Sequence, residues 1–471
     1  MAPTLSSHRP FVIALALGAA LRVLVQVAFP PAFIYSDGPM YLRLVNAMRP
    51  SPDRPVGYGV LLRVVSWATR DVWAVAVTQH VLGLVTAVVI YALLRRRGVS
   101  AGVATAATLP VLFDTMELVL EHSVLSDVLF DLMVLLGVAV LGWSRHPRVW
   151  SAAVAGGLFG AAALVRVVGE PVVVAAAVFC LLAAATLRAR VVTAVVLCIT
   201  FLVPVAAYAS WYHHEHGVWA LSQSGRALYM RTTSFVDCSR LSLPSYERTL
   251  CPSDPVGQRQ DPTYYGWHDP TTVKSLNPPP GVTLDAAMRD FALRAIRAQP
   301  WDYLRVAARD LAMTFSPVRA NFFGYDTAYK WSFAHYVDYQ PTNWTGPAYA
   351  SHGGEQPTSL HPLADVLRGY GYVVYVWGPL VLAMVLTALA GLVTWRPRGG
   401  EGTRSLVYLS TALAMGLVLV PDLTAEFTWR YQVPELVLLP VGAALGWTRL
   451  RGTSLSPGPR RRRRRTDRTA G

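Results

Sequence analysis

The side chains best suited to chemistry in this chain gather where apolar segments end. The first long apolar segment runs directly into Tyr35-Ser36-Asp37-Gly38-Pro39-Met40-Tyr41, and the same loop continues to Arg54-Pro55-Val56-Gly57-Tyr58. A carboxylate such as Asp37 at a membrane boundary can accept a proton as a general base. A guanidinium binds phosphate through paired N–H groups, so Arg54, Arg166 and Arg430 are candidates for a phosphate clamp. Further acids lie in Met116-Glu117-Leu118-Val119-Leu120-Glu121, followed by Ser126-Asp127 and Asp131. An ionisable group facing lipid is costly, so Asp127 is expected to look into a bundle, with Asp131 four residues on sharing its face. Each of these residues also has a plainer reading. Asp37 can cap a helix or be solvated, and the arginines can pair locally with Asp53, Glu170 and Glu426. Arg22 lies inside an apolar segment, so it must tilt, pair with an acid or mark a polar cavity.

The elements that must position these groups are membrane helices. The chain has 471 residues, 53% of them hydrophobic, with mean hydropathy +0.36. Apolar blocks near 20 residues match the roughly 30 Å hydrocarbon core of a bilayer. We read about ten spans, near 11–30, 72–94, 99–112, 125–143, 149–168, 170–187, 191–211, 370–394, 405–421 and 433–449. The fold class expected is an all-α polytopic membrane protein with a mixed extracytoplasmic insertion domain. With the N-terminus inside, the inner loops are Arg95-Arg96-Arg97, Arg145 to Arg148, Arg188 to Arg190, Trp395 to Arg404 and the tail, all rich in arginine as the positive-inside rule requires. Much of the formal net charge of +14 therefore has a topological meaning and calls for no nucleic-acid partner. Residues 1–211 form an N-terminal transmembrane module, 212–369 an outer domain, 370–449 the last three spans, and 450–471 a basic tail with Arg460 to Arg465 suited to anionic lipid. Cys238 and Cys251 fall in the outer insert and are candidates for a disulfide, whereas Cys180 and Cys198 sit in apolar blocks. No cluster of cysteine and histidine indicates a structural metal. Within the insert, Leu284 to Phe315 reads as helix broken or kinked at Pro300. Asn343-Trp344-Thr345 has sequon form but is read as chance.

Taken together, Leu21-Arg22, Ser36-Asp37 with Tyr41, Arg54-Pro55-x-Gly57-Tyr58, Ser126-Asp127, the turn at Arg166, Gly217 to Ser222, Ala298 to Leu304 and Arg430-Tyr431-Gln432-Val433-Pro434 resemble the GT-C superfamily of polyprenyl-phosphate-sugar-dependent glycosyltransferases. The likeness is to its bacterial protein-mannosyltransferase-like and aminoarabinose-transferase-like branch. It implies a multi-pass enzyme of the bacterial plasma membrane, active on the extracytoplasmic face in assembly of the cell envelope. Asp37 would be the base, supported by Asp127; Arg54, Arg166, Arg430, Tyr41 and Tyr58 would hold a polyprenyl-phosphate-linked sugar, and an envelope glycan, lipid or protein would be the acceptor. Many relatives carry an acid directly after the first-loop Asp, where this chain has Gly38, and Asp127 replaces a commoner Glu. Use of a divalent cation (Mg or Mn) therefore stays open, and no metal ligand is assigned. Two other classes remain beside this one: a transporter or flippase of a lipid-linked sugar, and a non-catalytic envelope protein of the same fold.

Overall fold

The computed structural model describes residues 5–34, 36–320, 328–333, 347, 350–354, 357–394 and 401–452. The sequon at 343–345 and the arginines at 460–465 lie outside the described residues.

Helix α1 spans Arg9–Ala28 and opens with Pro10, a residue tolerated in the first turn because its missing N–H has no helical partner there. Twenty residues at 1.5 Å each match the bilayer core. Its outward side chains, including Val12, Ile13, Leu17 and Val23, are exposed and apolar, as lipid contact requires, while Phe11, Ala14 and Val25 pack inward. The short helices α2 (Gly38–Asn46) and α3 (Gly57–Ser66) then lead to the long α4 (Val72–Arg96).

The block expected to span at 99–112 is instead two short pieces, α5 (Ala101–Ala106) and α6 (Leu109–Phe113). Thr108 donates its hydroxyl to the Thr105 carbonyl at 2.7 Å, and Pro110 opens α6, so the ladder is interrupted between them. Helix α7 (Thr115–Glu121) and α8 (Asp127–Gly142) follow, then α9 (Val149–Val165), α10 (Val172–Ala183) and the 30-residue α11 (Leu187–His216). The last turn of α11 is tied to the loop before α3: the His216 Nε2 donates to the Pro50 carbonyl at 2.9 Å, and the Gln223 N–H to that of Pro52 at 2.7 Å.

The outer insert carries α12 (Gly225–Thr233), α13 (Leu284–Ala298) and α14 (Pro300–Met313), the last two separated at Gln299 as Pro300 demands. Expected to be mixed, it is built among its described residues from helices and turns. The β contact described in the chain is an isolated bridge, Phe33 to Ser123. Its own small core holds Tyr229, Tyr265, Met288 and Phe291. Cys238 and Cys251 are bonded, Cα atoms 6.1 Å apart and 13 residues apart in sequence; closing a loop of that length contributes about 3 kcal/mol in the chain-entropy account. The insert is pinned to the bundle by Arg231, fully buried, which donates to Asp310 at 2.6 Å and to the Asp422 carbonyl at 2.9 Å.

After the insert come α15 (Leu363–Val373), α16 (Gly378–Val393), α17 (Glu401–Thr424) and α18 (Val433–Arg451). The break between α15 and α16 bends the pair by 50°. Non-helical backbone of this kind needs protein partners in a membrane. Asp114 accepts from the Val376 N–H at 2.6 Å, and Thr115 donates its hydroxyl to the Val374 carbonyl at 2.7 Å. Among the described residues five helices are long and apolar enough to cross a bilayer, six if that bent pair is one span, beside the shorter apolar α3, α9 and α10. Of the expected spans, 99–112 is interrupted, and 125–143, 149–168 and 170–187 carry the shorter helices α8, α9 and α10. The basic loops meet at one end of the bundle: Arg97 donates to the Ser144 carbonyl at 3.1 Å and to Thr403 at 3.4 Å.

Candidate active site

Asp37 sits at the residue before α2, preceded by Ser36 in the left-handed conformation with φ of 55°, uncommon for a residue with a side chain. The Asp37 backbone carbonyl accepts from Met40 and Tyr41, both at 3.1 Å. Its side chain makes no cap, so the carboxylate is free to face other elements. Arg54 reaches Oδ1 at 3.0 Å and Arg430 reaches Oδ2 at 3.2 Å.

Asp127 is the first residue of α8, a position where the helix dipole favours a negative charge. Arg430 grips it with Nε at 3.0 and 3.1 Å and with Nη2 at 2.7 Å. Arg166, the residue after α9, bonds its Oδ1 as well. The order is thus Arg54, Asp37, Arg430, Asp127, Arg166, a row of alternating charge with one more guanidinium than carboxylate. Arg430 is 5% exposed and lies over the Trp331 ring, 5.3 Å from its centre. Burial would push the Asp37 carboxyl up, but Arg54 and Arg430 beside it override this and hold it well below the usual carboxylate range.

Close packing sets this row. A Cβ on Gly57 would come 2.4 Å from the Leu164 carbonyl oxygen, so only glycine lets the start of α3 rest on the end of α9, beside Arg166. The three arginines do not take their sequence-local acids, apart from a bond from Arg54 to the Asp53 backbone carbonyl at 2.7 Å. Glu426 instead accepts from the Thr263 hydroxyl at 2.9 Å.

Tyr41 and Tyr58, expected among the substrate-binding residues, are buried with their rings edge to face, 4.8 Å apart. The hydroxyl of Tyr41 is bonded to Ser126 at 3.1 Å and that of Tyr58 donates to Gln79 at 2.8 Å. Gln79 in turn donates to the carbonyls of Glu121 at 2.9 Å and Ser123 at 2.6 Å. Both hydroxyls are thus engaged within the protein, next to the segments that carry the acids. Arg22 pairs with Glu121 at 2.5 Å, and His80 bonds the other oxygen of Glu121 at 2.7 Å. Gln79 and His80 were not singled out by sequence; two adjacent polar residues inside an apolar block are the signal that would have found them.

Asp131, one turn below Asp127, is 3% exposed, and neither of its carboxylate oxygens has a hydrogen-bond partner. It borders a small cavity with Asp127, Arg166, Arg430 and Tyr431. A second, apolar cavity of about 600 Å³ opens between α6, α16 and α18, with Asp114 at its edge. Among the described residues no group of three or more His, Cys, Asp or Glu could hold a metal ion. The two site carboxylates, already engaged by three cations, do not fit a divalent ion.

Fold and site together define a multi-span helical membrane protein with a self-paired ionic site at one end of its bundle. No family model matches the chain, and no curated protein matches it. A structure of the S. cerevisiae protein O-mannosyltransferase Pmt1-Pmt2 complex bound to the sugar donor overlaps with a TM-score of 0.36 at 15% identity, over 55% of this chain and 38% of that one. The match thus spans well under two thirds of the yeast chain, and an overlap this loose transfers no role to any residue.

Proposed function

We propose that this chain is an integral membrane glycosyltransferase that moves a sugar from a polyprenyl-phosphate donor to an acceptor hydroxyl on the extracytoplasmic face of a bacterial plasma membrane. The carrying observation is Arg430, which spans Asp37 and Asp127 in a row where guanidinium groups outnumber carboxylates three to two. That excess suits a phosphodiester monoanion. The apolar cavity of about 600 Å³ is of a kind that accommodates an isoprenoid chain.

In this reading the donor phosphate competes with Asp37 for Arg54 and Arg430. As those cations turn to phosphate, the carboxylate regains basicity when it is needed. The acceptor oxygen attacks the anomeric carbon, its proton passes to Asp37, and the bond from that carbon to the phosphate oxygen breaks. The electron pair leaves with the polyprenyl phosphate, whose growing charge meets Arg430, Arg166 and Arg54. Asp127 holds Arg430 and Arg166 in place while they do so. A single displacement inverts the anomeric centre.

The test is Asp37→Asn, which preserves shape and removes the base. The variant is expected to insert and fold, with a modest loss of stability from its two ion pairs, yet transfer no label from polyprenyl-phosphate mannose or arabinofuranose. Normal transfer by that variant would sink the mechanism.

A further inference from the structure

The two acids of the site are carried by segments far apart in sequence, and one side chain sews those segments together. The chain entering Asp37 runs from Phe29 to Ile34; the chain entering Asp127 runs from His122 to Ser126. The Phe33 N–H donates to the His122 carbonyl at 2.9 Å, and the Val124 N–H to the Phe33 carbonyl at 2.9 Å. The His122 ring crosses the same gap, its Nε2 lying 2.6 Å from the Phe29 carbonyl oxygen. A carbonyl only accepts, so Nε2 carries the proton. Nδ1 lies 3.3 Å from His80 Nε2. His80 Nδ1 faces Glu121 Oε2 at 2.7 Å, and Glu121 is held from its other oxygen by Arg22. Arg22 is itself fixed by the carbonyls of Gly18 at 3.0 Å, Leu112 at 3.1 Å and Val111 at 2.9 Å.

We infer that His122 is a positioning residue that sets the separation of Asp37 and Asp127, its tautomer fixed by the Phe29 carbonyl and its ring plane held by the chain Arg22, Glu121 and His80. The activity consequence rests on the transferase reading above; the stitch itself does not. The ring is fully buried, flanked edge-on by Phe33 at 4.9 Å and stacked on His80 at 5.5 Å, so it has no alternative orientation to adopt. Burial and the neighbouring His80 push its imidazole down to about 3, which keeps Nδ1 an acceptor at ordinary pH. His122, His80 and Glu121 are bonded to Phe29, to one another and to Arg22, away from the three arginines of the site. Loosening the stitch therefore misaligns base and clamp without removing either, and a misplacement near 1 Å from outside the chemistry costs on the order of 100-fold in rate.

The experiment compares the full chain with His122→Ala and His122→Gln in lipid nanodiscs. Gln can return an N–H towards the Phe29 carbonyl. Four quantities are read: local hydrogen exchange by mass spectrometry, the stoichiometry of polyprenyl phosphate bound, and kcat and donor KM for transfer from labelled polyprenyl-phosphate mannose. For His122→Ala we expect faster exchange confined to peptides covering 29–37 and 122–127 and an unchanged binding stoichiometry. Its kcat should fall about 100-fold, with donor KM within about twofold of the parent, and His122→Gln should recover most of it. Unchanged exchange in His122→Ala overturns the stitch. Loosened segments with parental kcat, or a Gln variant no better than Ala, overturn its role in aligning the site. If the parent transfers no sugar, the transferase reading falls instead, and exchange alone then upholds or overturns the stitch.

Discussion

Replacing Arg430 by Lys separates charge from shape. Arginine reaches the two acids through different edges of one rigid plane, with contacts to Asp127 at 2.7 to 3.1 Å and to Asp37 at 3.2 Å. A lysine ammonium is a single point and can serve one carboxylate or the other, so the bridge opens although the formal charge is kept. Each carboxylate retains one guanidinium, Arg54 on Asp37 and Arg166 on Asp127. No charge is stranded, and the folding loss should stay at about 1–2 kcal/mol, below the ~3–5 kcal/mol of a buried charge left alone. The catalytic loss should be larger, because an oriented donor to the leaving phosphate is worth ~10²–10³ in kcat, or about 3–4 kcal/mol. The assay is transfer from labelled polyprenyl-phosphate sugar, with chemical unfolding followed in the same detergent. A lysine variant that keeps kcat within about threefold of the parent would refute the claim that Arg430 meets the leaving group through its fork. A variant whose stability loss matched its rate loss would show Arg430 to be a structural tie.

Three further outcomes follow from the same geometry. A Cβ on Gly83 would sit 1.7 Å from Glu121 Oε1, so Gly83→Ala must displace Glu121 from Arg22 and His80; a loss of about 3 kcal/mol or more is expected in unfolding, and an unchanged melting profile would contradict it. The lowered Asp37 value means that its charged form is present, and stabilising, above the ordinary carboxylate range, and that this contribution fades only as pH falls through the depressed folded value. Transfer should accordingly show no acid limb from Asp37 between about pH 7 and 5. Arg54→Gln removes a cation that favours the carboxylate, so the group should protonate sooner and the acid limb should rise by about one pH unit or more; a limb already present near pH 6 in the parent would argue against Asp37 as the base.

Much of the site could be read from residue type and position along the chain. Asp37, Asp127, Arg54, Arg166 and Arg430 were all legible as ionisable groups near the ends of apolar segments, and the structure brings all five together. Their pairing was not legible. Arg430 and Asp127 are 303 residues apart, while Glu426 is four away, and nothing in a linear pattern says that helix packing will favour the distant partner. The break within 99–112 depends on Thr108 and Pro110 acting together, and hydropathy averages across both. Arg22 was recognisable as a residue needing an acid, but which acid depended on the bare surface at Gly83. Tyr41 and Tyr58 show another limit: nothing in the linear pattern says that their hydroxyls bond Ser126 and Gln79.

The helices that carry the Asp37–Arg54 pair differ in length. Asp37 hangs from α1, about 30 Å long, while the segment bearing Arg54 is propped by α11, whose 30 residues extend about 45 Å. A bilayer core near 30 Å fits α1 and the apolar 191–211 stretch of α11 alike, so the polar end of α11, Tyr212 to His216, stands beyond the lipid. The Asp37–Arg54 ion pair is thus reached from a strut that overshoots the membrane, and the site is braced from the aqueous side as well as from within the bundle.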